Sequence, residues 1–173
     1  TMNTIKVGYG LDDPNMGSLI SEAHLERVQG YIEWGNKQGA KLAFGGQRIT
    51  EGPLSKGAFI QPTLFTGVKP EMTISKEEIF GPVLSMLTFD NEEEAVALAN
   101  GSDYGLSASL WTRDITRAHR VAGSLDASHV AINGGGGFGI ESPFGGVKKS
   151  GFGREGGLEC LLQYSRVKSV WVK

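Results

Sequence analysis

Short β-prone runs, separated by capped amphipathic helices and closed by glycine, proline or aspartate, constrain this chain more than any other feature. Lys41 to Phe44, Phe59 to Phe65, Val83 to Phe89, Ser107 to Thr112 and His129 to Ile132 each read as a strand. Helices lie before and between them. Ser21 to Gly35 carries Leu25, Val28, Tyr31 and Ile32 at three-four spacing, and Gly35 reads as its stop. Asn91 can cap a helix through Ala95, Leu98 and Ala99, with Glu92, Glu93 and Glu94 at the positive end of its dipole. Asp114 can cap another, whose Ile115, Ala118, Val121 and Leu125 form one stripe. Strands alternating with helices imply an α/β fold, a mostly parallel sheet flanked by helices on both faces. No linker or change of composition divides the sequence, so residues 1–173 are expected to form a single domain.

A length of 173 residues suits one domain of about 100–200 residues with one core. Seventeen Lys and Arg against nineteen Asp and Glu give a net charge of −2, so no basic field marks nucleic acid or an acidic membrane as a partner. The lone cysteine, Cys160, excludes an internal disulfide and supplies no metal-ligand spacing. That fits a reducing, cytoplasmic setting. There is no run of about 18 apolar residues to span a bilayer, and Thr1 to Lys6 lacks the apolar core of a signal peptide. A Thr ahead of Met2 reads more as a cut end than as a natural start.

The 26 glycines fall as punctuation rather than as a repeat. Gly151-Phe152-Gly153-Arg154-Glu155-Gly156 is a literal G-x-G-x-x-G. A pyrophosphate cradle needs a strand before that turn, a helix after it and an acidic residue about 20 positions on. Here a loop precedes it and the acidic position falls beyond Lys173, so a glycine turn entering a helix is the better reading. Ser75-Lys76-Glu77-Glu78 fits a capping box, yet Gly81-Pro82 leaves almost no helix to cap.

Lys76-Glu77-Glu78-Ile79-Phe80-Gly81-Pro82-Val83, together with Ser142-Pro143-Phe144-Gly145-Gly146, resembles the NAD(P)-dependent aldehyde dehydrogenases. The likeness runs in order through Gly39-Ala40-Lys41, Phe59-Ile60-Gln61-Pro62-Thr63, Tyr104-Gly105-Leu106, Asn133 and Ser150-Gly151. It implies the larger part of that family's catalytic domain, with Val167 to Val172 as a strand that joins the oligomerisation sheet. It implies Glu78, Phe80 and Leu106 as cofactor contacts, with Glu78 on the ribose beside the nicotinamide and Phe80 against its ring. A carboxylate accepts two hydrogen bonds from vicinal hydroxyls, and an aromatic ring offers flat apolar surface. By the same likeness Asn133, Phe138 and Phe144 belong to the substrate wall, against a bland alternative of loop packing. Leu106 reads equally as a core leucine. His24 and Arg27 would lie toward the cofactor entrance, or simply on a solvated helix face.

Family chemistry needs a cysteine thiolate to attack the aldehyde, oxyanion donors, hydride transfer and a glutamate base that activates water. No cysteine precedes the E-E-I-F-G-P block, and Cys160 has no histidine or basic neighbour in sequence, so it reads as a core or interface thiol. No catalytic residue and no metal ligand is assigned. Gly134 to Gly137 offers few side chains where relatives carry bulky substrate-selecting ones. Arg166 stands where several relatives have a glutamate pairing with the arginine matching Arg154, so that brace is lost or replaced. The resemblance therefore implies the C-terminal part of an aldehyde dehydrogenase. Intact, it oxidises an aldehyde with NAD or NADP as a homo-oligomer; alone, it is inactive and holds the cofactor weakly. The rival reading is a non-catalytic interaction or assembly module that reuses the fold.

Overall fold

Ser21 opens the first helix, α1 (Glu22–Lys37), by accepting a hydrogen bond from the His24 N–H at 3.2 Å. The helix does not stop at Gly35, as expected from local punctuation, but passes through it. A Cβ at Gly35 would lie 3.0 Å from Ile74 Cδ1 and 3.0 Å from Phe65 Cζ, so this glycine lets α1 close on its neighbours. The true stop is Gly39, at φ +91°. Its N–H donates to Asn36 O at 3.1 Å and the Ala40 N–H donates to Gly35 O at 3.0 Å, the paired bonds of a Schellman ending.

The structure is a computed structural model describing residues 2–135 and 139–173, and it falls into two compact units, Thr1–Thr88 and Phe89–Lys173. In the first, β1 (Lys41–Phe44) pairs antiparallel with β2 (Thr63–Thr66), and β2 pairs parallel with β3 (Val83–Ser85). A short helix, α2 (Thr73–Lys76), lies on the crossover from β2 to β3. Leu25, Val28 and Ile32 of α1 meet Ile60, Phe65 and Ile74 in one buried cluster. Thr63 is fully buried, and its hydroxyl accepts from the Gly46 N–H and donates to Gln61 O, both at 3.0 Å.

The second unit runs α3 (Glu92–Asn100), β4 (Tyr104–Gly105), β5 (Ser107–Leu110), α4 (Ile115–Ser124), β6 (His129–Ile132), β7 (Val147–Lys148) and α5 (Glu159–Gln163). β5 and β6 are parallel and joined through α4, whereas β4 and β7 are antiparallel. The α/β reading holds, but among the described residues the strands form three small sheets with both pairings rather than one mostly parallel sheet. The cause lies in the connections. Each parallel pair is linked through a helix, while the β1–β2 connection carries only the 3₁₀ turn Pro53–Lys56 and β7 returns beside β4 from far along the chain. Residues 165–173 take no regular structure and lie exposed, since a lone strand has no edge to satisfy its backbone.

Both predicted caps form. Asn91 Oδ1 accepts from Glu94 N at 2.9 Å and Asp114 Oδ1 accepts from Arg117 N at 3.0 Å. Glu92 ties α3 to α4, accepting from Arg120 Nε at 2.7 Å and Arg117 Nε at 3.2 Å. The Arg120 hydrogen bond first, then the two guanidinium charges, hold the Glu92 carboxyl below its ordinary value. A depressed carboxylate stabilises the fold above its unfolded pKa and loses that contribution as pH falls through the folded one. Glu92→Gln is therefore expected to lower the melting temperature at neutral pH, with the gap to wild type closing in acid. Thermal melts across pH 2–7 check this, and a gap that stays constant would contradict it.

Candidate functional site

The cofactor residues expected in the first unit are presented by the chain that leaves α2. Ser75 lies inside that helix, whose N-cap is Met72, so no capping box forms and Glu78 stands beyond the helix end. The two neighbouring glutamates differ in what they bind. Glu77 Oε2 accepts the Tyr31 hydroxyl at 2.8 Å. Glu78 gives only its backbone oxygen, which accepts from Arg27 Nη2 at 2.9 Å, and among the described residues nothing engages its exposed carboxylate.

Phe80 sits at φ +57° with 71% of its surface exposed. A bulky residue in that region costs roughly 1–2 kcal/mol, so its surroundings must over-determine it. Ile79 is buried in the core on one side. On the other, a Cβ at Gly81 would lie 2.6 Å from Val28 Cγ2, and Pro82 O accepts from Thr63 N at 2.8 Å. Clamped at both ends, the block throws the ring outward. His24 and Arg27 lie beside this block, Arg27 remaining exposed. The His24 ring lies 6.5 Å from that of Phe80, and its two nitrogens are buried without a hydrogen-bond partner among the described residues. Beside them a cleft of about 390 Å³ is lined by Arg27, Tyr31, Trp34, Thr73 and Glu77. Sequence reading missed the tethers Arg27 and Tyr31; Tyr31 looked apolar on its stripe, though a tyrosine that packs usually also places its hydroxyl.

In the second unit Leu106 is 40% exposed. Asn133 lies just past β6 at φ +56°, its side chain bonded to Thr112. Phe144 is half-buried, exchanges backbone hydrogen bonds with Glu155 at 2.7 Å, and has its ring 6.4 Å from that of His129. Phe138 lies outside the described residues. The G-x-G-x-x-G stretch is a turn, with Gly151, Gly153 and Gly156 all at positive φ, and the next helix, α5, starts only at Glu159 and is five residues long. The Arg154 guanidinium donates to Gly146 O at 2.9 Å and Gly153 O at 2.6 Å. Cys160 is half-buried on α5. Among the described residues no cluster of His, Cys, Asp and Glu could hold a metal, and no helix is long and apolar enough to cross a membrane.

Comparison with known proteins shows what the chain resembles. The model of the aldehyde dehydrogenase family matches residues 1–170. An aldehyde dehydrogenase from Bacillus cereus, solved as a point mutant, is 48% identical with a TM-score of 0.91, and the match covers 99% of this chain and 34% of that one. Betaine aldehyde dehydrogenase from Staphylococcus aureus, solved in complex with NAD+, is 40% identical with a TM-score of 0.91, over 94% of this chain and 33% of that one. The chain thus spans about a third of the length of these solved relatives.

Proposed function

The chain belongs to the aldehyde dehydrogenase family, and we propose that it supplies the cofactor wall and substrate wall of an enzyme that oxidises an aldehyde to a carboxylic acid with NAD or NADP. The observation that carries this reading is the contrast between Glu77, engaged by Tyr31, and Glu78, whose exposed carboxylate has no partner among the described residues and stands beside an outward Phe80 held in a strained backbone. A free carboxylate next to a flat ring fits a ribose joined to a planar base. The nicotinamide cofactor, when bound, accepts hydride; Glu78 orients its ribose, Phe80 and Leu106 pack against it, and Asn133, Phe138 and Phe144 bound the aldehyde side. The nucleophilic thiolate and the base that activates water come from residues other than these.

The isolated 173-residue chain is therefore expected to reduce no NAD+ or NADP+ with any aldehyde, and Cys160→Ser to change nothing. Absorbance of the reduced cofactor checks both. Turnover that vanishes with Cys160→Ser would overturn this division of labour. A second reading, an assembly module, draws on one observation: Leu158, Tyr164, Val167 and Trp171 of the C-terminal stretch are all at least 80% exposed. The same surface supports a homo-oligomer built through Val167 to Val172, and the lone Cys160 supports a cytoplasmic setting.

A further inference from the structure

Asn133 makes one hydrogen bond to the last residue of β5 and two to Thr112 in the connection from β5 to α4. Its backbone N–H donates to Leu110 O at 2.8 Å and continues the parallel β5–β6 ladder. The next rung of such a ladder would run from the Thr112 N–H to the Asn133 main-chain oxygen. Instead the Thr112 N–H donates to Asn133 Oδ1 at 2.8 Å, and Asn133 Nδ2 donates to Thr112 O at 2.9 Å. The carboxamide stands in for a peptide group, while the real peptide, turned by φ +56°, leaves the sheet. Thr112 is fixed in turn, because its Oγ1 accepts from Asp114 N at 3.2 Å and Asp114 caps α4.

We propose that Asn133 is a positioning residue for aldehyde selection: its side chain replaces the last rung of the β5–β6 ladder and so fixes the point and direction at which the chain departs toward the substrate side. The inference rests on the aldehyde dehydrogenase reading and revises one part of it, since an amide already bonded at both ends acts through the chain it aims. Asparagine meets both demands at once. It tolerates the left-handed region, and it presents one donor and one acceptor in peptide-like geometry. Glycine meets only the first demand. Aspartate keeps the acceptor but sets a negative oxygen against Thr112 O.

The test joins amide exchange on the 173-residue chain to kinetics of the full-length enzyme that carries it. In Asn133→Gly, protection of the Thr112 amide is expected to fall at least about fivefold, the loss of one net hydrogen bond. In Asn133→Asp that amide stays protected. In the enzyme, both variants are expected to change the ratio of kcat/KM between a short aliphatic and a bulky aromatic aldehyde by about tenfold, with the KM for NAD+ within about twofold. Unchanged Thr112 protection in Asn133→Gly overturns the proposal, as does an equal loss for both aldehydes, which marks a merely structural role. Should Asn133→Gly not fold, Asn133→Asp carries the kinetic test alone. A wild-type enzyme that oxidises no aldehyde overturns the functional reading itself, whereas an active one with an unmoved ratio overturns only the role of Asn133.

Discussion

Phe65→Ala is expected to destabilise the Thr1–Thr88 unit by about 3–5 kcal/mol, the usual cost of emptying a fully buried aromatic site. Phe65 is 0% exposed on the central strand of the three-stranded sheet and lies in one cluster with Leu25, Val28 and Ile32 of α1. Its ring also marks how closely the helix approaches, since Gly35 carries no Cβ where one would stand 3.0 Å from Phe65 Cζ. Urea unfolding followed at Trp34, the tryptophan of this unit, measures the loss as a lower midpoint. A midpoint within experimental error of wild type would mean that α1 collapses onto the vacated volume and that the glycine is no fixed spacer. The effect reaches function through the same helix, because Arg27 and Tyr31 hold the Glu77–Glu78 segment from its surface.

What could be read in advance depended on whether its cause was local. The caps at Asn91 and Asp114 formed because each side chain needs only the N–H three residues ahead. β1 at Lys41–Phe44 and β6 at His129–Ile132 matched their predicted bounds, being short apolar runs closed by glycine or asparagine. Gly35 misled because a stop and a spacer look alike in sequence, and only the far contact with Phe65 and Ile74 tells them apart. Strand direction was equally hidden, since pairing β7 with β4 joins residues some 43 apart, Gly105 and Val147 differing by 42 and Tyr104 and Lys148 by 44. The same limit applied at the site. Motif order singled out Glu78 and Phe80, but nothing local distinguished Glu77, engaged by Tyr31, from its neighbour, or showed that Asn133 would bond to Thr112.

Glu78→Gln in the full-length enzyme is expected to slow hydride transfer or raise the cofactor KM by about ten- to a hundredfold, the 1.5–3 kcal/mol of a charge-assisted hydrogen bond. Folding should hardly change, because the carboxylate is exposed and unengaged among the described residues while the tether to Arg27 uses the backbone oxygen. Glu77→Gln supplies the control one residue away: it weakens the bond from Tyr31, so its effect should fall on stability more than on cofactor kinetics. Phe80→Gly separates the two quantities further. It relieves the φ +57° strain, so the melting temperature should hold or rise, while the ring proposed to meet the cofactor is lost. Steady-state kinetics with varied NAD+ and NADP+, set beside thermal melts of all three variants, decide the matter. If Glu78→Gln lowers the melting temperature and leaves kcat and cofactor KM unmoved, Glu78 is a structural residue and the cofactor wall must be sought elsewhere on this chain.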